Sequence, residues 1–149
     1  MAGNDIKILF KKMRKNAIIP EYKLYGDAGC DLCAVEDTIL KPGERKVVWA
    51  GFSIEMPQEN IEAQIRPRSG LAIKHGVTVL NTPGTVDYGY RGEIGAIMVN
   101  LGDKDYAIHK GDRFAQMVFS HVYRGHFIEV HELSETDRSS GGMGHTGVK

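Results

Sequence analysis

The sequence predicts an all-β domain, a jelly roll or distorted β-barrel, with one short helix and a flexible C-terminal arm. Three observations predict it. Apolar and polar residues alternate in short runs along most of the chain, the two-residue period of half-buried strands. Turn signals recur about every ten residues, at Lys41-Pro42-Gly43, Pro57-Gln58-Glu59-Asn60, Leu101-Gly102-Asp103 and Lys110-Gly111-Asp112, as in a barrel or sandwich. From Ser134 onward the chain turns polar and glycine-rich and lacks a large apolar anchor, the composition of a mobile arm. The expected division is therefore a β-barrel over 1–133 and an arm over 134–149.

The elements follow in order. Ile6-Lys7-Ile8 alternates and reads as a strand. Lys46 to Met56 reads as one longer strand carrying the only tryptophan, Trp49. Glu62 to Arg66 alternates again. Ser69 is a good N-cap for a helix over Leu71-Ala72-Ile73-Lys74-His75, and Gly76 suits the C′ position. Val77-Thr78-Val79 and Ile97-Met98-Val99 fit strands. Between them lies N-T-P-G-T-V-D-Y-G-Y-R-G-E-I-G, Asn81 to Gly95. It reads as a hairpin with an acid, Asp87, near its tip. A buried strand seldom needs so much glycine beside an acid and an aromatic, whereas a pocket wall that brings its backbone to a ligand does.

Bulk properties narrow the function. At 149 residues the chain is long enough for one domain with a real core. Lys plus Arg and Asp plus Glu each number 19, so the formal net charge is zero. That argues against strong nonspecific nucleic-acid binding. No apolar run approaches the ~20 residues of a membrane span. The N-terminus is too poor in apolar residues for a secretory signal, so a cytoplasmic protein is the default. Cys30 and Cys33 form a C-x-x-C, but in extended chain they lie roughly 10 Å apart on opposite faces. They read as two small apolar residues. His121, His126 and His131 recur at a spacing that stacks on neither strand nor helix and read as surface residues. The glycines from Gly142 to Gly147 are followed by Val148-Lys149 and make no P-loop.

Two groups carry candidate chemistry. Arg68-Ser69-Gly70 at the helix start is either a capped helix after a strand or an anion site built from free amides, a hydroxyl and a guanidinium. The residues alone leave both open. Asp87 is either a turn aspartate or a general base, a role a carboxylate fills only while ionised.

Five segments, taken together, carry a resemblance: Ala28 to Leu32 (A-G-C-D-L), Arg68 to Ala72 (R-S-G-L-A), Asn81 to Gly95, Gly111 to Gln116 (G-D-R-F-A-Q), and Arg138 to Gly147 (R-S-S-G-G-M-G-H-T-G). In this order they resemble the five motifs of the trimeric deoxyuridine triphosphatases (dUTPases), across nearly the whole chain. The departures are Met143, where the family usually has phenylalanine, and His145, where it usually has serine.

The resemblance implies the following. Asp87 is the base for a water that attacks the α-phosphorus of dUTP, giving dUMP and pyrophosphate. That reaction keeps uracil out of DNA and supplies dUMP for dTMP synthesis. Arg68, Ser69 and Gly70 contact phosphate. Asn81 and the backbone of Gly84, Thr85 and Val86 up to Asp87 read the uracil edge, and Gly95 permits close approach to the base. Tyr90 packs against the deoxyribose and leaves no room for a 2′-hydroxyl; Tyr88 sits where the family varies. Asp31 and Gln116 hold waters of a magnesium ion that the triphosphate itself chelates, with no direct protein ligand. Gln116 also lies beside the substrate, while Arg113 reads better as a structural ion-pair partner. The arm acts as a lid: Arg138 meets the terminal phosphates, Met143 covers the uracil, and Gly144 with Thr146 offers amides and a hydroxyl. The protein is then a homotrimer, with motifs one, two and four from one subunit, the hairpin from a second and the arm from a third. Two rivals remain. A dCTP deaminase of the same superfold would need a glutamate aimed at the cytosine ring. A slow regulator or binding protein on the same scaffold is kept in view by Met143 and His145.

Overall fold

Glu62 to Arg66 shows how the chain folds: its neighbours Ile61, Ala63 and Ile65 are buried while Glu62, Gln64 and Arg66 are less so, one face inward and one outward. The computed structural model describes residues 5–142. In chain order the elements are β1 (Leu9–Lys12), β2 (Cys30–Cys33), β3 (Thr38–Leu40), β4 (Arg45–Trp49), β5 (Phe52–Glu55), β6 (Ile61–Arg66), α1 (Ser69–His75), β7 (Val77–Val79), β8 (Gly84–Val86), β9 (Gly95–Asn100), β10 (Tyr106–Ile108) and β11 (Arg113–His121).

The strands form a four-stranded sheet β2-β11-β6-β8, a three-stranded sheet β4-β9-β7, and the pairs β1-β5 and β10-β3. Every pairing is antiparallel. The sheets enclose one apolar core in which Phe52, Phe114, Leu32, Leu40 and Ile108 are fully buried. This is the predicted all-β, jelly-roll-like arrangement with one short helix, although among the described residues the strands do not join into one closed ring.

Four local expectations change. Lys46 to Met56 is not one strand. It breaks at Ala50-Gly51, where Gly51 takes φ +80° and its carbonyl accepts from both Met13 and Arg14 N–H. A side chain at Gly51 would also overlap Val35. The break lets β4 pair with β9 and β5 with β1, so one mostly apolar stretch serves two sheets.

Ile6-Lys7-Ile8 is not in a strand. The first strand begins at Leu9 because its partner β5 ends at Glu55, opposite Leu9. Ser69 is not the N-cap: Arg68 holds that position with extended backbone, and its carbonyl accepts from Leu71 and Ala72. Gly76 does end the helix in the left-handed conformation, φ 67°.

Asn81 to Gly95 is not a paired hairpin. Its two strands, β8 and β9, belong to different sheets, β8 on β6 and β9 between β4 and β7. The segment is a corner that carries the chain between sheets. Cys30 and Cys33 do lie on one strand and are free thiols, and burial pushes both thiol pKa values up.

After His121 the described chain has no further strand. Val122 N–H donates to Asn60 O, and beyond it Tyr123, Phe127, Ile128, Val130 and Leu133 are exposed. On the barrel, a groove of about 1070 Å³ runs beside β1 and the ends of β6 and β11, with Ile6, Ile8, Phe10, Tyr22, Ile61 and Phe119 in its wall.

Candidate active site

Strand register assembles the first group of candidate residues. Asp31 on β2 stands opposite Gln116 on β11, and Gln116 stands opposite Arg66 on β6, so three adjacent strands present one row. Arg68 follows just past the end of β6. Asp31 is 7% exposed and would be costly to bury alone. It is held between two guanidinium groups. Arg113 Nη1 donates to Oδ2 at 2.8 Å, and Arg68 Nε lies 3.5 Å from Oδ1. Arg68 Nη1 also donates to the Arg113 carbonyl at 2.8 Å. A register shift between Arg113 and Ala115 turns the start of β11 toward this cluster.

The pair with Asp31 raises the Arg113 pKa, first through the hydrogen bond and then through charge attraction. Asp31 Oδ1 and Arg68 Nε are shielded from solvent yet make no hydrogen bond. They attract across 3.5 Å, and each keeps a bonding position to give. The cluster therefore presents a cation with one side held and another side open. In front of Gly70 nothing lies within 4 Å of where a Cβ would stand. Gly29, by contrast, faces the Gln116 side chain, where an added Cβ would stand 3.3 Å from the Gln116 Cβ, and so lets the first motif lie against the fourth.

The corner after β8 builds the second group. A cavity of about 300 Å³ is lined by Asn81, Gly84, Thr85, Val86, Asp87, Tyr90 and Gly95, seven of the residues read from the sequence as facing base and sugar; Met143, the other, falls outside the described residues. Asp87 directly follows β8 and is exposed. Its carbonyl accepts from Tyr90 N–H at 3.0 Å, which closes the turn. Tyr90 folds back over this turn: its hydroxyl donates to Glu93 O at 3.0 Å, and a side chain at Gly92 would overlap the ring. Glu93 in turn pairs with Arg14 at 2.9 Å. The peptide bond Thr82–Pro83 is cis.

Trp49, Val47, Val79 and Ile97 form an apolar wall that sequence reading missed. The available signal was Gly95, assigned there to the ligand. A Cβ at Gly95 would stand 2.8 Å from the Trp49 ring and 2.9 Å from Val48 O, so the glycine also lets β9 lie against the tryptophan.

One chain does not bring the two groups together. Val86 pairs with Ala63 and Gln116 pairs with Arg66, which places them about 10 Å apart along β6. Asp87 and Arg68 each continue away from the other. None of Asp31, Arg68, Ser69, Gly70 or Gln116 lines the cavity that holds Asp87. Arg138 lies outside it too, in a turn where its Nε donates to Gly141 O at 3.0 Å. Met143, Gly144, His145 and Thr146 fall outside the described residues. Among the described residues no cluster of three or more carboxylate, histidine or cysteine side chains could hold a metal, and no helix is long and apolar enough to cross a membrane.

Comparison with known proteins agrees with the geometry. The family model described as dUTPase matches residues 15–147. The deoxyuridine 5′-triphosphate nucleotidohydrolase of Clostridium novyi (strain NT) is 52% identical over 143 residues, covering 96% of this chain and 100% of that protein. The solved dUTPase of Staphylococcus bacteriophage 80alpha with dUPNHPP is 26% identical with a TM-score of 0.89, over 95% of this chain and 99% of the other. A mutant dUTPase from phage phi11 of S. aureus, in which a structural Mg(II) ion is coordinated, shares the fold at 22% identity and a TM-score of 0.80, over 87% of this chain and 99% of that one.

Proposed function

The chain belongs to the dUTPase family, and from that premise we propose that it hydrolyses dUTP to dUMP and pyrophosphate at sites completed between copies of itself. The observation that carries this reading is the cavity at the β8–β9 corner, where an exposed carboxylate stands beside an amide side chain, glycine backbone and a tyrosine ring. Uracil offers an edge of alternating donor and acceptor. Asn81 and the strand backbone from Gly84 to Val86 can match that edge, and Tyr90 gives the sugar an apolar face. A 2′-hydroxyl against that face would lose its water without gaining a partner.

Asp87 orients a water and takes its proton as the water oxygen bonds to the α-phosphorus. The bond from that phosphorus to the β-phosphate bridging oxygen breaks, and pyrophosphate leaves. Among the described residues the Asp87 carboxylate makes no hydrogen bond or ion pair, so it is free to accept. Arg68, with Ser69 and Gly70, meets phosphate, and Arg138, Met143 and Gly144 close the site from the arm.

The residues fit magnesium as holders of its waters rather than as its ligands. Asp31 shares its charge between two guanidinium groups and retains Oδ1 as an acceptor, with Gln116 alongside. When bound through the triphosphate, the ion would neutralise charge and fix the phosphate conformation.

Because Asp87 and Arg68 diverge along β6, phosphate donors for one cavity come from another copy. The exposed apolar segment after Val122 and the apolar groove beside β1 suit an exchange of that segment between copies, and the trimer is the assembly this supports. The free thiols suit a reducing compartment such as the cytoplasm.

The test is pyrophosphate release from dUTP, dCTP, dTTP and UTP, with and without magnesium, alongside light scattering. dUTP alone should turn over well, and the mass should be that of a trimer. Equal use of dCTP would remove the uracil-edge reading, and tight binding without turnover would favour a regulator. A fully active monomer would refute the shared site.

A further inference from the structure

We propose that Arg91, so far without a role in the reaction, is the positioning residue that sets the Tyr90 ring against the sugar and thereby sharpens selection of deoxyribose over ribose. This rests on Tyr90 being the sugar platform. Arg91 Nη1 donates to the Tyr88 carbonyl at 2.6 Å and to the Tyr90 carbonyl at 3.1 Å. Its guanidinium carbon lies 5.7 Å from the centre of the Tyr88 ring, and its Nε lies 3.7 Å from Glu55 at the end of β5. One planar group thus gathers two carbonyls that converge from either side of Tyr90, and ties them to a strand of another sheet.

The far end of Tyr90 is fixed separately, by its hydroxyl on Glu93 O and by the bare backbone of Gly92 beneath the ring. The ring is therefore held at both ends, by Arg91 at its backbone and by Glu93 at its tip. Remove the guanidinium, and two carbonyl dipoles face each other without a shared donor. The turn then relaxes, and the ring moves with it. Discrimination against one hydroxyl depends on the ring being close, so a small displacement is enough to weaken it. Arginine suits the task better than lysine because its Nη1 can serve both carbonyls while Nε faces Glu55 and the flat group lies near the Tyr88 ring, three roles a single ammonium nitrogen cannot fill together. The Arg91 side chain is 45% exposed, so its loss should cost the fold little.

The experiment measures kcat/KM for dUTP and for UTP, with melting temperature, in the full-length protein and in Arg91→Met, Arg91→Lys and Tyr90→Leu. For Arg91→Met the dUTP/UTP ratio should fall ~3- to 10-fold, while kcat for dUTP and the melting temperature stay near wild type. Arg91→Lys should recover only part of the ratio. It also serves as the informative variant should Arg91→Met fold poorly.

An unchanged ratio in Arg91→Met overturns the inference. So does an equal rise in KM for both nucleotides, which is what a merely structural role would give. Full rescue by lysine would show that a charged donor alone suffices and would overturn the need for the guanidinium. Tyr90→Leu separates the two readings. If it leaves the ratio intact, the sugar platform itself is wrong; if it relaxes the ratio while Arg91→Met does not, only the role of Arg91 falls.

Discussion

The two halves of the candidate site are built by opposite means. At the Asp31 end, three strands and the start of α1 converge side chains of opposite charge, and a nearly buried carboxylate is paired with two arginines, hydrogen-bonded to Arg113 only. At the Asp87 end the contacts are mostly backbone, made within one turn of tyrosines and glycines, and the acid is exposed. The first half is rigid because its charges would be expensive to separate. The second is shaped by steric exclusion around an exposed acid, with the Arg91–Glu55 and Arg14–Glu93 pairs tying the turn to neighbouring segments rather than holding Asp87 itself. Damage to the first should therefore appear in stability and binding together. Damage to the second should appear in turnover and selectivity, with stability spared.

Changes at four places sharpen or break this contrast. Asp87→Asn has the largest expected effect, a ~10²- to 10⁴-fold loss of kcat with unchanged melting temperature, since shape is kept and only the proton acceptor is lost. Steady-state kinetics and calorimetry on one preparation check it, and activity within a few-fold of wild type would take Asp87 out of the role. Removing the residues after Arg138 should abolish most activity yet leave the proposed trimer and its melting temperature intact. Removing those after Val122 should also dissociate that proposed assembly, because the apolar segment goes too; sedimentation of both truncations tells the lid from the exchanged segment.

Asp31→Asn should lower stability by about 1–2 kcal/mol, less than a fully enclosed pair would lose because Arg113 is partly in solvent. KM for dUTP should rise with it as Arg68 loses its hold. A urea midpoint equal to wild type would mean that the cluster contributes no net stability. Met143→Phe should give the smallest change, a gain of a few-fold in kcat/KM, since a ring over the base loses less entropy on closing than methionine does. Were both Met143→Phe and Met143→Ala to match wild type, residue 143 would not cover the base.

Local pattern made some of this legible and non-local pairing hid the rest. Glu62 to Arg66 and Val77 to Val79 alternate, and they lie in strands because alternation reports one buried face whatever the partner; Ile97 to Val99 is apolar throughout and lies in β9 with Met98 and Val99 both buried. Lys46 to Met56 reads as one continuous mostly apolar stretch, yet it splits at Gly51, since a change of sheet leaves no mark on side-chain composition. The Asn81 to Gly95 segment shows the same limit. Its glycines and turn residues announce a reversal, but whether two flanking strands pair with each other or with β6 and β9's other neighbours is settled elsewhere in the chain. Seven of the residues lining the cavity were legible together from sequence because they lie within one short segment. The apolar wall of Trp49, Val79 and Ile97 was not, because it comes from strands far away in sequence. Arg113 was legible as an ion-pair former, but its partner Asp31 was not named, and its grip on Arg68 runs through a backbone carbonyl that no residue type announces.

If sister chains cover the exposed run from Tyr123 to Leu133, as proposed, that run ties this protein to its own abundance. A chain whose apolar side chains are covered only by a sister chain obeys mass action, so dilution acts on it as a denaturant would. Its melting temperature should climb with concentration, and its reassembly should follow the collision rate of chains rather than any internal clock. A cell making few copies would hold a larger share of them incomplete, with sticky segments in solution and catalytic groups apart. The quantity that sets nucleotide hydrolysis per molecule is then the number of molecules.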